Sequence, residues 1–256
     1  MLSEPLVELA LRPWGRPRVG LIQHSTPERL VELWPSFPMP GPNHVCLVRC
    51  APERVDPMID ETLELAAAHG LRCMWILDPG AQPADIGVRL TARGIPQVEE
   101  LDVMVLPVGT TLARGDPAIE IVDGLRDEAT YQAAEAVQSA AFQDAGPLPG
   151  QPERFAEACA DPSRRLFLAL VGSQPAGAGW ATVHQDGILL NGGAVHPRFQ
   201  GCGVYRALVA ARLGLARELG AAGVGVQAKS DTSGPILSRF GFRTVGRWRL
   251  HADGGG

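Results

Sequence analysis

Cysteine is scarce in this chain, and no two cysteines are close enough in sequence to form a CxxC pair. The five cysteines are Cys46, Cys50, Cys73, Cys159 and Cys202. The cysteines are scattered and odd in number and include no CxxC pair, so neither a disulfide framework nor a zinc site is suggested. We therefore expect free thiols in a reducing cytoplasm and no metal site.

Long runs of like charge and long apolar runs are also missing. The net charge is −5, with acidic and basic residues mixed along the chain. This mixture argues against nucleic acid or an anionic membrane as the main partner, because both leave a basic footprint. No apolar stretch reaches the ~18 residues of a membrane span, and Glu4 and Glu8 interrupt any signal-like start. We expect a cytoplasmic protein with no membrane partner.

The chain does have enough residues and apolar side chains for two domains. It contains 256 residues, of which 45% are hydrophobic, and domains of about 100–150 residues are the commonest. Segment 34–42 holds four prolines and is expected to be irregular. Segment 107–117 is rich in turn-forming residues, so we place the boundary there, with domains at 1–110 and 111–256.

Hydrophobic periodicity and glycine or proline breaks predict an α/β chain with a mixed sheet. In the first half we expect strands at 44–49, 72–77 and 99–108 and helices at 58–69 and 84–93, ending at Gly70 and Gly94. In the second half we expect strands at 119–122, 166–171, 176–184, 187–195, 223–228 and 243–251, and helices at 126–142, 153–160, 204–219 and 234–240. The strands from 166 to 195 are expected to form an antiparallel meander.

Two segments of the chain share the same succession of elements. Residues 73–95 and 225–242 each give a strand, a proline-containing break, a short helix and a glycine, and a strand follows both. This similarity predicts that the two halves are diverged copies of one fold.

The segment between the predicted strand 187–195 and the helix from Val204 has the features of an anion-binding loop. Pro197 stops the strand, and Gly201 and Gly203 stand directly before the helix. Glycine allows positive φ and a close approach of a ligand, and the first amides of a helix have no internal partners. Apolar residues Val204, Leu208, Ala211, Leu215 and Leu219 give the helix its predicted buried stripe. An ordinary tight connection is the simpler alternative, but strand, loop and helix together suit a pyrophosphate.

The order of a β-meander, Arg-x-x-Gly-x-Gly, a helix, a strand and Gly241-Phe242 resembles the GNAT superfamily of N-acetyltransferases. Arg198, Gly201 and Gly203 occupy the three fixed positions of its signature, and the resemblance covers about residues 119–251. A Rossmann GxGxxG would need glycine at Arg206, and the chain lacks the Gly-Lys-Ser/Thr of a Walker loop. The resemblance implies the GNAT fold, in tandem with a degenerate N-terminal GNAT-like domain.

In that family the loop amides bind the pyrophosphate of acetyl-coenzyme A (acetyl-CoA), and the preceding strand pairs with the pantetheine arm. The resemblance thus implies cofactor contacts at Ala194, Val195, Arg198, Gln200, Gly201, Cys202, Gly203, Val204, Tyr205 and Arg206. Gly192 and Gly193 in the strand suit a bulge or a close backbone approach.

The residues for acid–base catalysis are harder to identify. Many family members have a tyrosine acid four residues before the Gly-Phe pair, where this chain has Leu237. The candidates left are Asn191, His184, His196 and Ser230. Each histidine has the alternative of a simple hydrogen-bonding role, and serine in such a loop is often a turn or cap residue.

The resemblance implies an N-acetyltransferase that moves an acetyl group from acetyl-CoA to an amine by direct attack in a ternary complex. The acceptor is expected to be a small-molecule or peptide amine. The alternative is a catalytically silent acyl-CoA-binding regulatory or interaction module, which the absence of the tyrosine favours. The first half lacks Arg-x-x-Gly-x-Gly and is expected to bind no CoA. A third interpretation is that the first half is only a structural or dimerising partner, and a dimerising role would allow a homodimer.

Overall fold

The computed structural model of the chain describes residues 2–13, 20–37, 41–112, 118–142 and 150–253. Two segments that were expected to be irregular lie partly outside these residues: 38–40 of segment 34–42 and 113–117 of segment 107–117. Residues 143–149, which separate the helices expected at 126–142 and 153–160, also lie outside them. No described helix is long and apolar enough to span a lipid bilayer.

Seven helices and eleven strands are found in the described part of the chain. The helices are α1 (Glu4–Leu11), α2 (Val55–Ala68), α3 (Ile86–Ala92), α4 (Glu128–Phe142), α5 (Gln151–Ala160), α6 (Val204–Glu218) and α7 (Ser233–Arg239). The strands are β1 (Ile22–Ser25), β2 (Leu30–Leu33), β3 (His44–Cys46), β4 (Met74–Leu77), β5 (Gln97–Pro107), β6 (Ile119–Asp123), β7 (Arg164–Val171), β8 (Gln174–His184), β9 (Gly187–Val195), β10 (Gly223–Lys229) and β11 (Arg243–His251). A single 3₁₀ turn spans Pro197–Phe199.

These residues group into two compact units that do not follow one cut in the sequence. Unit 1 comprises Met1–Ala10, Met104–Gln227 and Ile236–Arg243. Unit 2 comprises Leu11–Val103, Ala228–Pro235 and Thr244–Gly256. Each unit includes residues from both predicted domains, 1–110 and 111–256, so the units do not test the predicted boundary. That boundary stays a prediction about where one copy of the fold ends and the next begins.

Unit 1 is built on the predicted meander. Strands β6, β7, β8 and β9 pair antiparallel in that order, and β10 then pairs parallel with β9. One face carries α4 and α5, with Tyr131 and Trp180 in the buried cluster. The other face carries α6, where Val204 and Leu208 pack against Ala169 and Ala176. Helices therefore cover both faces of the sheet. This is expected because its strands carry few polar side chains on either face.

Unit 2 repeats the central succession of unit 1. Strands β1, β2 and β3 pair antiparallel, β3 and β4 pair parallel, and β11 pairs antiparallel with β4. Helices α2 and α3 cover a core around the fully buried Trp75. The parallel pairs β3–β4 and β9–β10 are each bridged by one helix and followed by a short helix and a strand. This matches the predicted repeat.

Three details of the sequence prediction were wrong. The strand expected at 44–49 ends at Cys46, because Leu47 takes a positive φ of 53° and breaks the extended backbone. Leu219 was expected on the buried stripe of α6, but it lies beyond the end of the helix and is 51% exposed. Elements α1, β1 and β2 were not anticipated, because runs of four to eight residues carry little periodicity.

Candidate active site

The connection after β9 is a tight, internally bonded turn. His196 precedes the 3₁₀ turn, and its Nδ1 accepts the amide of Arg198 at 3.2 Å. The amides of Phe199 and Cys202 donate to the carbonyls of His196 and Phe199. These bonds fix the path of the backbone before the two loop glycines. His196 thus caps a turn, which is the simpler of its two predicted roles.

Gly201 and Gly203 give the loop its shape and leave one face open. Their φ angles are 78° and 81°, in the left-handed region that favours glycine. A Cβ on Gly201 would meet no atom within 4 Å, and one on Gly203 would meet only Ile119 Cδ1 at 3.9 Å. The space beside both glycines is therefore open to a ligand.

The amino end of α6 faces this loop with unpaired donors. The first α-helical bond runs from the Ala207 amide to the Gly203 carbonyl at 3.1 Å, so the amides of Val204, Tyr205 and Arg206 precede it and have no helical acceptor. They carry the positive end of the helix dipole. The side chains of Arg198 and Arg206 are exposed on either side. Amides, dipole and guanidinium groups together make this end of α6 an anion cradle.

The remaining predicted loop contacts surround the cradle. Ala194 is buried at the end of β9 and Val195 is half-buried, while Gln200 is exposed. Cys202 is also exposed, and its Sγ lies 3.7 Å from the Gln200 carbonyl.

A slot between β9 and β10 leads away from the cradle. The parallel pairing covers only Ile188 to Leu190 on β9 and ends at Leu190 with Val226. Beyond this point the edge of β9 from Asn191 to Val195 has no partner on β10. Its amides and carbonyls are left to pair with an extended ligand, as one more strand would.

A β-bulge lies in the same segment of β9, in its pairing with β8, as the two adjacent glycines predicted. Ala178 pairs with Ala194 and Trp180 with Asn191, so Gly192 and Gly193 together oppose the single residue Gly179. Gly192 has a positive φ of 51°, and its carbonyl accepts from Gln138 Nε2 of α4 at 2.6 Å. Bulges redirect backbone groups locally, often beside active sites.

Two residues of α6 pack against the bulge from the other face. A Cβ on Gly193 would meet Tyr205 Cε2 at 3.1 Å and Arg212 Nη2 at 3.3 Å. Burial raises the pKa of the Tyr205 phenol, so this residue is protonated at neutral pH. Arg212 is 1% exposed, and burial lowers its pKa to about 10. Neither Gln138 nor Arg212 was singled out from the sequence. The one clue in the sequence was that Arg212, a charged residue, follows Leu208 by four positions and so falls on an otherwise apolar face of the helix.

The structure scatters the four catalytic candidates. Asn191 lies at the bulge and accepts from Thr182 Oγ1 at 3.0 Å. His184 pairs with Gly187 at the far end of β9 from the cradle, and His196 caps the turn. Ser230 belongs to unit 2, where its amide donates to the Glu100 carbonyl. Asn191 is therefore the only one of the four that unit 1 places beside the bulge.

The position where many family members have a tyrosine acid, four residues before Gly241-Phe242, is part of the hydrophobic core in this chain. Leu237 on α7 is fully buried, and the amide of Phe242 donates to its carbonyl at 3.1 Å. An apolar side chain there can neither donate nor accept a proton. Among the described residues, no group of three His, Cys, Asp or Glu side chains is arranged to hold a metal ion.

Comparison with known families assigns the second half of the chain. The sequence model of the Acetyltransferase (GNAT) family matches residues 131–242, from α4 to the Gly-Phe pair. Residues 131–242 thus carry the sequence pattern of a GNAT domain. The match includes the cradle, the slot and the bulge. A comparison with curated protein sequences gave no significant match.

Solved structures extend the GNAT resemblance to almost the whole chain at the level of the fold. A GCN5-related N-acetyltransferase from Kribbella flavida is 16% identical with a TM-score of 0.72, covering 93% of this chain and 91% of its own. One from Sphaerobacter thermophilus is 17% identical with a TM-score of 0.63, covering 88% and 80%. A tandem GNAT protein from the clavulanic acid biosynthesis pathway is 15% identical with a TM-score of 0.57, covering 98% and 88%. The fold is therefore the GNAT fold, and it matches a tandem protein over nearly its full length.

Proposed function

We propose that the protein is an N-acetyltransferase that uses acetyl-CoA as cosubstrate and acetylates an amine by direct attack in a ternary complex. The observation that carries this proposal is the cradle of free amides at the start of α6, joined directly to the unpaired edge of β9. An anion site and an extended backbone edge in this order suit a ligand with a pyrophosphate at one end and an amide-containing arm.

The residues present fit the phosphate end of coenzyme A. Loop amides from Gly201 to Arg206 would hold the pyrophosphate, with Arg198 and Arg206 supplying charge. Each charge-assisted hydrogen bond is worth about 1.5–3 kcal/mol, so three or four support roughly micromolar affinity after association costs. Ala194 and Val195 lie on the edge that would pair with the arm. The open space beside Gly201 and Gly203 is the observation that supports this fit.

The bulge supplies the groups nearest to the chemistry. Acetyl-CoA brings a thioester carbonyl and a thiol leaving group. A backbone amide freed at Gly192–Gly193 would donate to that carbonyl oxygen as it gains negative charge. Because Leu237 is part of the core, the chain offers no acid at that position, and proton transfer between amine and sulfur would run through water. Proximity in the ternary complex then supplies most of the rate enhancement.

A catalytically silent acyl-CoA-binding module is the second candidate. The specific observation in its favour is the buried Leu237, which replaces the acid that many relatives have. The cradle does not distinguish the two candidates, because a sensor needs the same anion site as an enzyme. Turnover alone separates them.

Two measurements on the full-length protein test the proposal. Calorimetry with acetyl-CoA should give one site per chain, because unit 1 holds the one such cradle among the residues that the structure describes. Two sites, or none in a folded protein, would contradict the assignment. A panel of small amines and peptide amino termini, assayed by free thiol release, should then show amine-dependent release. Tight binding without amine-dependent release would establish the silent module instead.

A further inference from the structure

The bulge on β9 is held by side-chain donors from both faces of the sheet. On one face Gln138 Nε2 donates to the Gly192 carbonyl at 2.6 Å. On the other face Arg212 Nη1 donates to the Trp180 carbonyl at 3.2 Å, across the strand from the bulge. A bulge interrupts the ladder. These two carbonyls lie where the register shifts, and each receives a donor from a helix.

The guanidinium of Arg212 fits against glycines on both strands. A Cβ on Gly179 would lie 2.9 Å from Nη1, and one on Gly193 would lie 3.3 Å from Nη2. Only glycine leaves room for the planar group at Gly179. Arg212 Nε also donates to the Leu208 carbonyl at 3.0 Å, which anchors the side chain to its own helix. Its planar fork thus ties α6 rigidly to the bulged segment.

Burying the guanidinium of Arg212 costs stability, so stabilisation of the fold does not explain why an arginine is present here. Arg212 is 1% exposed, and no carboxylate of the described residues forms an ion pair with it. A buried charge without a partner loses its hydration, and an apolar side chain of similar volume is often equally or more stabilising. The carbonyls of Leu208 and Trp180 are the compensation that the structure shows, and Trp180 lies across from the bulge on β8.

We propose that Arg212 is a positioning residue for acyl transfer, with Gln138 as its counterpart on the opposite face: together they fix the Gly192–Gly193 bulge so that its freed amide is aimed into the slot. This inference rests on the proposed function of unit 1. It concerns the geometry of the bulge and not the binding of the pyrophosphate.

The test compares Arg212→Met with Arg217→Met on the same helix. Arg217 also donates to two backbone carbonyls, those of Val108 and Thr110, but it is exposed and belongs to neither loop nor bulge. We expect Arg212→Met to lower kcat at least about tenfold, with KM and Kd for acetyl-CoA within about threefold, because misplacement affects the reacting centre more than the remote anchor. Arg217→Met should leave both parameters unchanged.

Two further variants keep the proposal testable if Arg212→Met fails to fold. Arg212→Lys retains the charge but lacks the fork, so kcat should stay low. Gln138→Leu changes a partly exposed residue of α4 and should also lower kcat. In a double variant the fold-loss of kcat should be smaller than the product of the two single fold-losses, because both residues act on the same bulge.

The possible outcomes separate this inference from the proposed function. An active wild-type enzyme whose kcat is unchanged in folded Arg212→Met or in Gln138→Leu would overturn the inference and leave the function intact. If the wild-type protein binds but releases no thiol, the ratio of Kd for CoA to Kd for acetyl-CoA replaces kcat. That ratio should then fall in the Arg212 and Gln138 variants, and an unchanged ratio would overturn the inference. Absence of any CoA binding would overturn both.

Discussion

Gly203 lies directly before helix α6 and Gly220 lies just after it. Comparing the two separates the effect of a glycine's backbone conformation from the effect of its place beside the anion cradle. Both have positive φ, 81° and 66°. Gly203 stands before the free amides of the helix, whereas Gly220 follows its last turn, and a Cβ there would meet no atom within 4 Å. The two positions thus share backbone strain on substitution but differ in which end of the dipole they face.

We expect Gly203→Asp to abolish acetyl-CoA binding, because the carboxylate would occupy the phosphate space and neutralise the helix dipole. Calorimetry on the folded variant measures this. Gly220→Asp is the matched control, with similar backbone strain, and should keep its affinity. Unchanged affinity in a folded Gly203→Asp variant would refute the assignment of the loop.

The residues that define the cradle can be read from the sequence, whereas those that hold the bulge cannot. Arg198, Gly201 and Gly203 are close together in the chain, so their spacing is visible. Gln138 and Arg212 reach the bulge from helices that are distant in sequence, and only the folded sheet brings their donors to neighbouring carbonyls. A charged residue on an apolar helix face indicates that something is unusual, but not which atoms it contacts.

Helix α4, which carries Gln138, depends on its amino-terminal cap. Asp127 Oδ1 accepts both the amide and the hydroxyl of Thr130 at 2.7 Å. The hydroxyl, then the amide, and then Arg126 lower the pKa of Asp127 from 3.8 to about 2. The ionised carboxylate is therefore the form that supports the start of α4.

We expect Asp127→Ala to lower the melting temperature at pH 7 and to lose this penalty in acid. The folded pKa lies below the unfolded one, so the contribution of Asp127 is fully present above the unfolded value and is lost as the pH falls through about 2. Melting curves of both proteins should converge over that range. Asp127→Asn keeps an acceptor and should melt between the two at pH 7. A pH-independent difference for Asp127→Ala would show that the charge is irrelevant.

Elements of ordinary length were predictable because glycine and proline mark their ends. Every element expected between 119 and 251 is present, with bounds that differ by at most two residues. Helices α2 and α3 are followed by Gly70 and Gly94 in the left-handed conformation, as their sequence position suggested. The short elements α1, β1 and β2 escaped prediction, because their structure is fixed by tertiary contacts. In α1, for example, the buried Leu6 would contact a Cβ on Gly187 or Gly223.

At the scale of the whole molecule, the two units exchange segments of the chain. Unit 1 includes Met1–Ala10, and unit 2 includes Thr244–Gly256 with nearly all of β11. Strand β11 pairs with β4 from Trp75 to Leu77. Periodicity identified β11 as a strand but not its neighbour, since partner choice between repeated units is not a local property of sequence.

We expect that neither 1–110 nor 111–256 folds alone, although these ranges are the two predicted copies. Each fragment would lack part of its own compact unit, leaving β4 without β11 in one and the face of β9 without α1 in the other. Circular dichroism and thermal melting of the separate fragments measure this, with the full chain as control. Recovery of structure on mixing would support the exchange, and cooperative melting of either fragment alone would contradict it.

The placement of β11 also bears on how the protein is made. Translation proceeds from the amino terminus, and domains usually fold as soon as they leave the ribosome. Here the edge of β4 has to wait for β11, which follows most of unit 1 in the sequence, so unit 2 cannot be completed until β11 has been synthesised. Nascent chains released before β11 is made would expose an open edge of β4, which makes premature termination between β4 and β11 a specific risk for aggregation in the cell.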